Sequence, residues 1–149
     1  MYILFAFLGA IMASLGTIFA KIGLKGVDAN LLTAIRGITM AVIVSVAALS
    51  FGKLSVVSLA ALTPKQWTFV LLSGLAGGLS WLFFYHALAF GPIVPVTVID
   101  KFSIVLVAIL ATLILSEKIT LQAGVGLIMI TIGTVLVSIP IEKIISVFK

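Results

Sequence analysis

Residues 66–99 read QWTFVLLSGLAGGLSWLFFYHALAFGPIVPVTVI and contain no formally charged side chain. As one helix this run would be roughly 51 Å long at about 1.5 Å per residue, whereas the hydrocarbon core of a bilayer is about 30 Å thick. The run must therefore contain two elements. Gly91-Pro92 supplies the break, because glycine commonly ends a helix and proline commonly begins one. The stretch predicts two membrane-spanning helices, at residues 66–90 and 93–116.

The composition places the whole chain in the membrane class. Hydrophobic residues make up 63% and charged residues 9%, and the mean hydropathy is +1.45, whereas a soluble domain carries about 25% charged residues. Further apolar runs predict helices at residues 3–21, 31–51 and 121–139. We therefore predict an all-α integral membrane protein with five transmembrane helices in a single domain, residues 1–149.

The loops between these helices contain recognisable helix-start signals. Asn30 is suited to cap the second helix, and Thr63 is suited to cap a helix that begins at Pro64. Residues 53–63 are mildly amphipathic and predict a linker at the membrane interface. The net charge of +5 comes from lysines and arginine that are scattered singly, so no nucleic-acid partner is expected.

An odd number of spans leaves the two termini on opposite sides of the membrane. One copy is then too small and too asymmetric to surround an alternating-access pathway, which a second, inverted copy would complete. The basic residues near span ends do not fix an orientation, so the chain either inserts one way on a weak signal or inserts both ways. We call the membrane side of the N-terminus side A and the opposite side side B. The basic residues on side A are Lys53, Lys65 and Lys118. Those on side B are Lys21, Lys25, Lys143 and Lys149, and also Arg36 if it is counted as a residue at a span end.

Several motifs resemble one known family. The stretch SWLFFYHALAFGP at residues 80–92, the helix from Val94 that ends in LSEKIT at residues 115–120, and the Asp28-Ala29-Asn30 loop before Arg36-Gly37 resemble the EamA-type domain of the drug/metabolite transporter superfamily. The resemblance covers essentially the whole chain.

The resemblance implies a fold and an activity. Most members have ten helices as two five-helix halves of inverted orientation, and this chain resembles one half, as in the small five-helix bacterial and archaeal branch. The sequence Asp100-Lys101-Phe102-Ser103 is similar to that branch. The resemblance implies that the protein is a secondary transporter that exports small organic metabolites or drugs. It would work by alternating access as an antiparallel homodimer in the inner membrane of a prokaryote. The expected partners are a small-molecule substrate and the lipid bilayer, without a cofactor.

Other functions fit the sequence less well. The chain could instead be a non-catalytic subunit, or a component of a flippase for lipid-linked metabolites, in a heteromer. Small four-helix multidrug exporters depend on a glutamate in the first helix, but the first span here has no acid. Enzyme activity is not expected, because the chain has no nucleophile motif, phosphate loop or zinc-ligand spacing.

Ionisable residues inside a span are costly and are candidates for function. Arg36 and Asp100 are predicted to lie roughly 9 to 11 Å in from side B, and His86 roughly 6 Å, at about 1.5 Å per residue. We expect Arg36 and Asp100 to form a buried pair that lines the cavity of the transport pathway, with His86 nearby. Asp100 is the only acid within a span, so it is the candidate for proton or cation coupling. Alternatively, the pair is only self-neutralising, or Arg36 and Lys101 extend to the headgroups.

Neighbouring residues complete the predicted pathway. Lys101 follows Asp100 about 100° further around the helix, so the two side chains should not face one point. Trp81, Phe84 and Tyr85 are candidates for an aromatic lining, with lipid-facing positions or packing between helices as the alternative. Gly74 and Gly78 form a G-x-x-x-G motif that allows close helix packing.

Overall fold

The computed structural model describes residues 1–138, which form seven α-helices and no strand. Five spans in this part of the chain are long and apolar enough to cross a membrane, counting α5 and α6 as one span. The predicted all-α fold with five transmembrane helices is therefore confirmed. The helices are α1 Tyr2–Gly23, α2 Ala29–Ser50, α3 Val56–Ala60, α4 Pro64–Phe90, α5 Ile93–Asp100, α6 Ser103–Leu115 and α7 Leu121–Ser138.

The chain divides into two compact units, each of which is described by itself. The first is Met1–Ala89, with α1 to α3 and nearly all of α4. The second begins at Phe90 and contains α5 to α7. The predicted end of the fifth helix at residue 139, and the tail with Lys143 and Lys149, lie outside the described residues.

Side-chain exposure agrees with a bilayer as the solvent. Large apolar side chains point outward along the helices, for example Phe7 at 68%, Phe83 at 73% and Leu113 at 74% exposure. Apolar surface on this scale is not tolerated in water, whereas helices satisfy their own backbone hydrogen bonds inside lipid. The chain is thus a multi-pass membrane protein.

The start of α2 corrects one prediction. Asp28, not Asn30, is the N-cap: its carboxylate accepts hydrogen bonds from the backbone N–H groups of Asn30 at 2.9 Å and Leu31 at 3.1 Å. Both residue types cap well, but the chain reverses earlier than expected, at Gly26 with φ +77°. The helix consequently begins two residues before the predicted start.

The ends around the interfacial linker follow known capping rules. At the end of α2, Gly52 has φ +64°, and Lys53 N–H donates to the Ala48 carbonyl at 2.8 Å, which is the Schellman arrangement. The predicted cap at Thr63 is confirmed, because its hydroxyl accepts from Gln66 N–H at 3.3 Å while Gln66 Oε1 accepts from Thr63 N–H at 2.8 Å. This reciprocal pair is a capping box. Between them the linker forms the short helix α3.

The fourth span is interrupted, contrary to the single helix predicted at residues 93–116. Between α5 and α6 the hydrogen bonds tighten to the i to i−3 pattern, from Phe102 N–H to the Ile99 carbonyl and from Ile104 N–H to the Lys101 carbonyl, both at 3.0 Å. Such tight turns inside a helix often mark strained or functional positions. The interruption falls at the charged pair Asp100 and Lys101.

Candidate functional site

Arg36 lies in α2 and contacts both neighbouring helices of the first unit. Its Nη1 donates to the Gly16 carbonyl in α1 at 3.3 Å. Its Cζ lies 5.3 Å from the centroid of the Tyr85 ring in α4, within the range of a cation–π interaction. Glycine allows this approach, because a Cβ at position 16 would lie only 3.0 Å from Arg36 Nη2.

The charge of Arg36 has no carboxylate partner within its own unit. Asp28 is the only acid among residues 1–89, and its carboxylate caps α2. The Nε of Arg36 is buried without a hydrogen-bond partner among the described residues. It is unusual for a guanidinium inside a membrane to keep a desolvated N–H donor without an acceptor. A buried, unpaired donor or charge costs free energy.

A cavity of about 300 Å³ lies beside this arginine. It is bounded by the second half of α1, the α1–α2 turn and the first half of α2. Apart from Arg36 its walls are apolar, formed by Ala20, Gly23, Val27, Leu32 and Ile35. The geometry gives an open, apolar cavity with one cationic wall.

Lys21 connects the end of α1 with the end of α4. Its Nζ donates to the Leu88 carbonyl at 2.6 Å. In a continuous helix residue 92 would donate to this carbonyl, but Pro92 has no N–H. The lysine thus satisfies an acceptor that the proline leaves open, at the negative end of the helix dipole.

The aromatic residues of α4 separate into buried and exposed positions. Tyr85 is buried, with 3% exposure, and Phe84 packs edge-on against its ring at 5.2 Å. Trp81, one turn earlier, is half-buried, and His86 is exposed. Tyr85 is therefore the predicted aromatic residue that contacts Arg36, while Trp81 shares its side of the helix.

In the second unit Asp100 pairs with its own neighbour. Lys101 Nζ lies 3.0 Å from Asp100 Oδ2, with the side chains 55% and 32% exposed. The two side chains reach each other because the flexible lysine chain lets the ammonium fold back, and the expectation that they do not face one point of the pathway stays a prediction. One turn earlier, Thr97 Oγ1 is buried without a partner among the described residues.

The predicted pair of Arg36 and Asp100 joins residues of different units and stays a prediction. Sequence reasoning missed three participants: Gly16, Lys21 and Thr97. The sequence signal for Lys21 was Pro92, because a proline has no N–H group to donate to the carbonyl four residues earlier. Lys21 is a basic residue at a helix end and can donate to such a carbonyl. A Cβ placed on Gly74 or Gly78 would have no heavy atom of residues 1–89 within 4 Å outside its own helix turn, so their predicted close helix packing is not found within the first unit.

Comparison with known proteins identifies the family of the chain. A relative from Sinorhizobium sp, described as an uncharacterized transporter in the cobO 3'region, is 34% identical over 134 residues, which cover 90% of this chain and 94% of the relative. No solved structure gives a significant match. The model of the EamA-like transporter family matches residues 1–139. The chain therefore belongs to the EamA-like transporter family and is a membrane transporter of small molecules.

Proposed function

We propose that the protein is a secondary exporter of small organic metabolites or drugs that works by alternating access as an antiparallel homodimer in the inner membrane of a prokaryote. The observation that carries the proposal is the odd number of spans among residues 1–138, together with basic residues at span ends that do not clearly favour either side. Inverted halves surround the substrate site in many secondary transporters. Here two copies of opposite orientation supply the two halves.

The relative from Sinorhizobium supports this arrangement by its length. The match covers 94% of the relative, so that protein has about the length of one five-helix unit. A transporter of this length gains a second half by pairing with another chain. A lysine distribution that does not clearly favour either side allows one gene product to supply both orientations.

Within each protomer, the pathway is assigned to the charged and aromatic residues at one depth. The contact of Arg36 with the buried ring of Tyr85 supports this assignment in the first unit. Trp81 lies on the same side of α4, and His86 follows Tyr85 directly. The half-buried Trp81 ring contacts flat or apolar substrates without requiring exact hydrogen-bond geometry, while the buried Tyr85 ring positions Arg36.

In the second unit, Asp100 is the coupling group for a proton or another cation. Its ion pair with Lys101 holds the carboxylate in a neutral pair, and the unused Thr97 hydroxyl lies one turn away on the same helix. A bound cation replaces the lysine as the partner of the carboxylate. The interruption between α5 and α6 lets this segment change shape when the partner is exchanged.

Two variants of fixed orientation test whether inverted copies are required. The first, Val56→Lys with Lys25→Gln, moves basic charge to side A, and the second, Asn30→Lys with Lys53→Gln, moves it to side B. None of these four positions lines the proposed pathway. Cells with the wild-type protein are screened for tolerance to toxic metabolites and drugs, and the variants are then tested with the compound that gives the strongest tolerance.

Each variant alone should lose tolerance, and co-expression should restore it. Full tolerance with one variant alone would contradict the antiparallel dimer. Failure of co-expression, with both variants inserted and abundant, would contradict it as well and would favour the heteromeric subunit, which a copurifying partner would identify.

A further inference from the structure

We infer that the cavity beside Arg36 binds the carboxylate of a small, mostly apolar organic acid. This inference rests on the proposed function, because it names the substrate class of the transporter. It depends on three features of the first unit: the unused donors of Arg36, the lack of a partner carboxylate, and the apolar cavity walls.

The donors of Arg36 are largely unused. A guanidinium has five N–H donors, and the described residues accept only one hydrogen bond, from Nη1 to the Gly16 carbonyl at 3.3 Å. That distance is longer than an ordinary N–H···O bond. Nε is buried and unpartnered, so the guanidinium keeps desolvated N–H donors, and such a planar group matches the two oxygens of a carboxylate.

The charge of the site selects an anion. Within residues 1–89 the one carboxylate, Asp28, accepts two backbone N–H groups at the start of α2. A substrate with a single negative charge therefore neutralises Arg36, whereas a cation is repelled. A doubly charged phosphate would leave an excess charge among apolar walls, which is costly inside a membrane.

The walls and the volume limit the rest of the molecule. Ala20, Val27, Leu32 and Ile35 offer only apolar side chains, and Gly23 offers backbone. A volume of about 300 Å³ is at the low end of the range of about 300–1,000 Å³ for ligand pockets. A branched aliphatic or single-ring body fits such a site, and additional polar groups would remain unpaired.

A matched acid and amide test the inference on the purified full-length protein. Thermal unfolding and calorimetric titration are measured with 4-methylpentanoate and with 4-methylpentanamide, which has nearly the same shape and no charge. The acid should raise the unfolding midpoint and the amide should not. Arg36→Gln should weaken acid binding by about tenfold or more, the usual effect of losing a charge-assisted pair, and Arg36→Lys should weaken it less.

Gly16→Ala provides a second variant if Arg36→Gln fails to fold. The new Cβ would lie 3.0 Å from Arg36 Nη2 and displace the guanidinium, whereas a Cβ at Gly9 in the same helix has nothing within 4 Å. Gly16→Ala should therefore weaken acid binding and Gly9→Ala should not.

Three results would overturn the inference: equal binding of acid and amide, unchanged acid binding in both Arg36→Gln and Gly16→Ala, or stabilisation by phosphatidylglycerol in place of the acid. The last result would assign the arginine to an anionic lipid headgroup. If the wild-type protein does not bind the acid but still needs inverted copies for tolerance, this inference is refuted and the antiparallel dimer is not. Acid binding by a protein that is active in one orientation would refute only the antiparallel dimer.

Discussion

The guanidinium of Arg36 lies over the ring of Tyr85, with Cζ 5.3 Å from the ring centroid. The contact joins α2 to α4 within the first unit and places a cation against an aromatic face that is almost completely buried. A ring face offers partial negative charge without a carboxylate. Arg36 is thereby held in position while its remaining donors stay available.

The ring, rather than the hydroxyl, should be the important part of Tyr85. Tyr85→Phe retains the cation–π contact, whereas Tyr85→Leu removes it at a cost of about 0.5 to 2 kcal/mol. We expect transport to fall more in Tyr85→Leu than in Tyr85→Phe, at equal membrane abundance. Equal activity of the two variants would show that the contact with Arg36 is dispensable.

Lys21 should stabilise the fold through the Leu88 carbonyl. Lys21→Met removes a hydrogen bond from a charged donor and should lower the free energy of unfolding by about 1 to 3 kcal/mol. Thermal unfolding in detergent measures the change. Lys25→Met is the matched control, because it removes the same charge from an exposed position just after the end of α1. A loss of equal size there would contradict the assigned role of Lys21.

Asp100 should matter for more than neutralising Lys101. Asp100→Asn leaves the lysine charge unpaired, and the double variant Asp100→Asn with Lys101→Gln removes both charges. If Asp100 couples transport, both variants lose transport although the double variant inserts and folds normally. Recovered transport in the double variant would reduce the pair to mutual neutralisation.

The end of α6 should accept glycine with a gain in stability. Ser116 has φ +57°, a left-handed conformation that costs a residue with a side chain roughly 1 kcal/mol and glycine very little. Ser116→Gly should therefore raise the unfolding midpoint, while Ser116→Val should lower it. A lower midpoint for the glycine variant would contradict this account of the turn.

The fold was largely predictable because membrane spans leave a strong signal. Long runs without charge, together with Gly91-Pro92, define the helices from composition and length alone. The cap at Asp28 was missed because Asp28 and Asn30 are both good caps, and only the position of the turn at Gly26 decides between them. The interruption after Asp100 was missed because the sequence there contains no glycine or proline.

The site was less predictable because its contacts are made between distant positions of the chain. A charge within a span identified Arg36 and an aromatic side chain identified Tyr85 as candidates. Their contact depends on the small residue at Gly16, which a single sequence does not connect to an arginine twenty positions later. The hydrogen bond from Lys21 to Leu88 likewise depends on how α1 and α4 pack. Burial of Thr97 Oγ1 becomes visible only in three dimensions.

The antiparallel arrangement is tested most directly by labelling one thiol from one side of the membrane. The chain has no cysteine, so the variant Val57→Cys has a single thiol. The substitution changes no charge, and position 57 is exposed in α3. The wild-type chain gives the background labelling. In spheroplasts, an impermeant maleimide should label roughly half of the protein before the membrane is permeabilised and the remainder afterwards, as expected for equal insertion in both orientations. Labelling of nearly all or nearly none of the protein before permeabilisation would contradict the antiparallel homodimer.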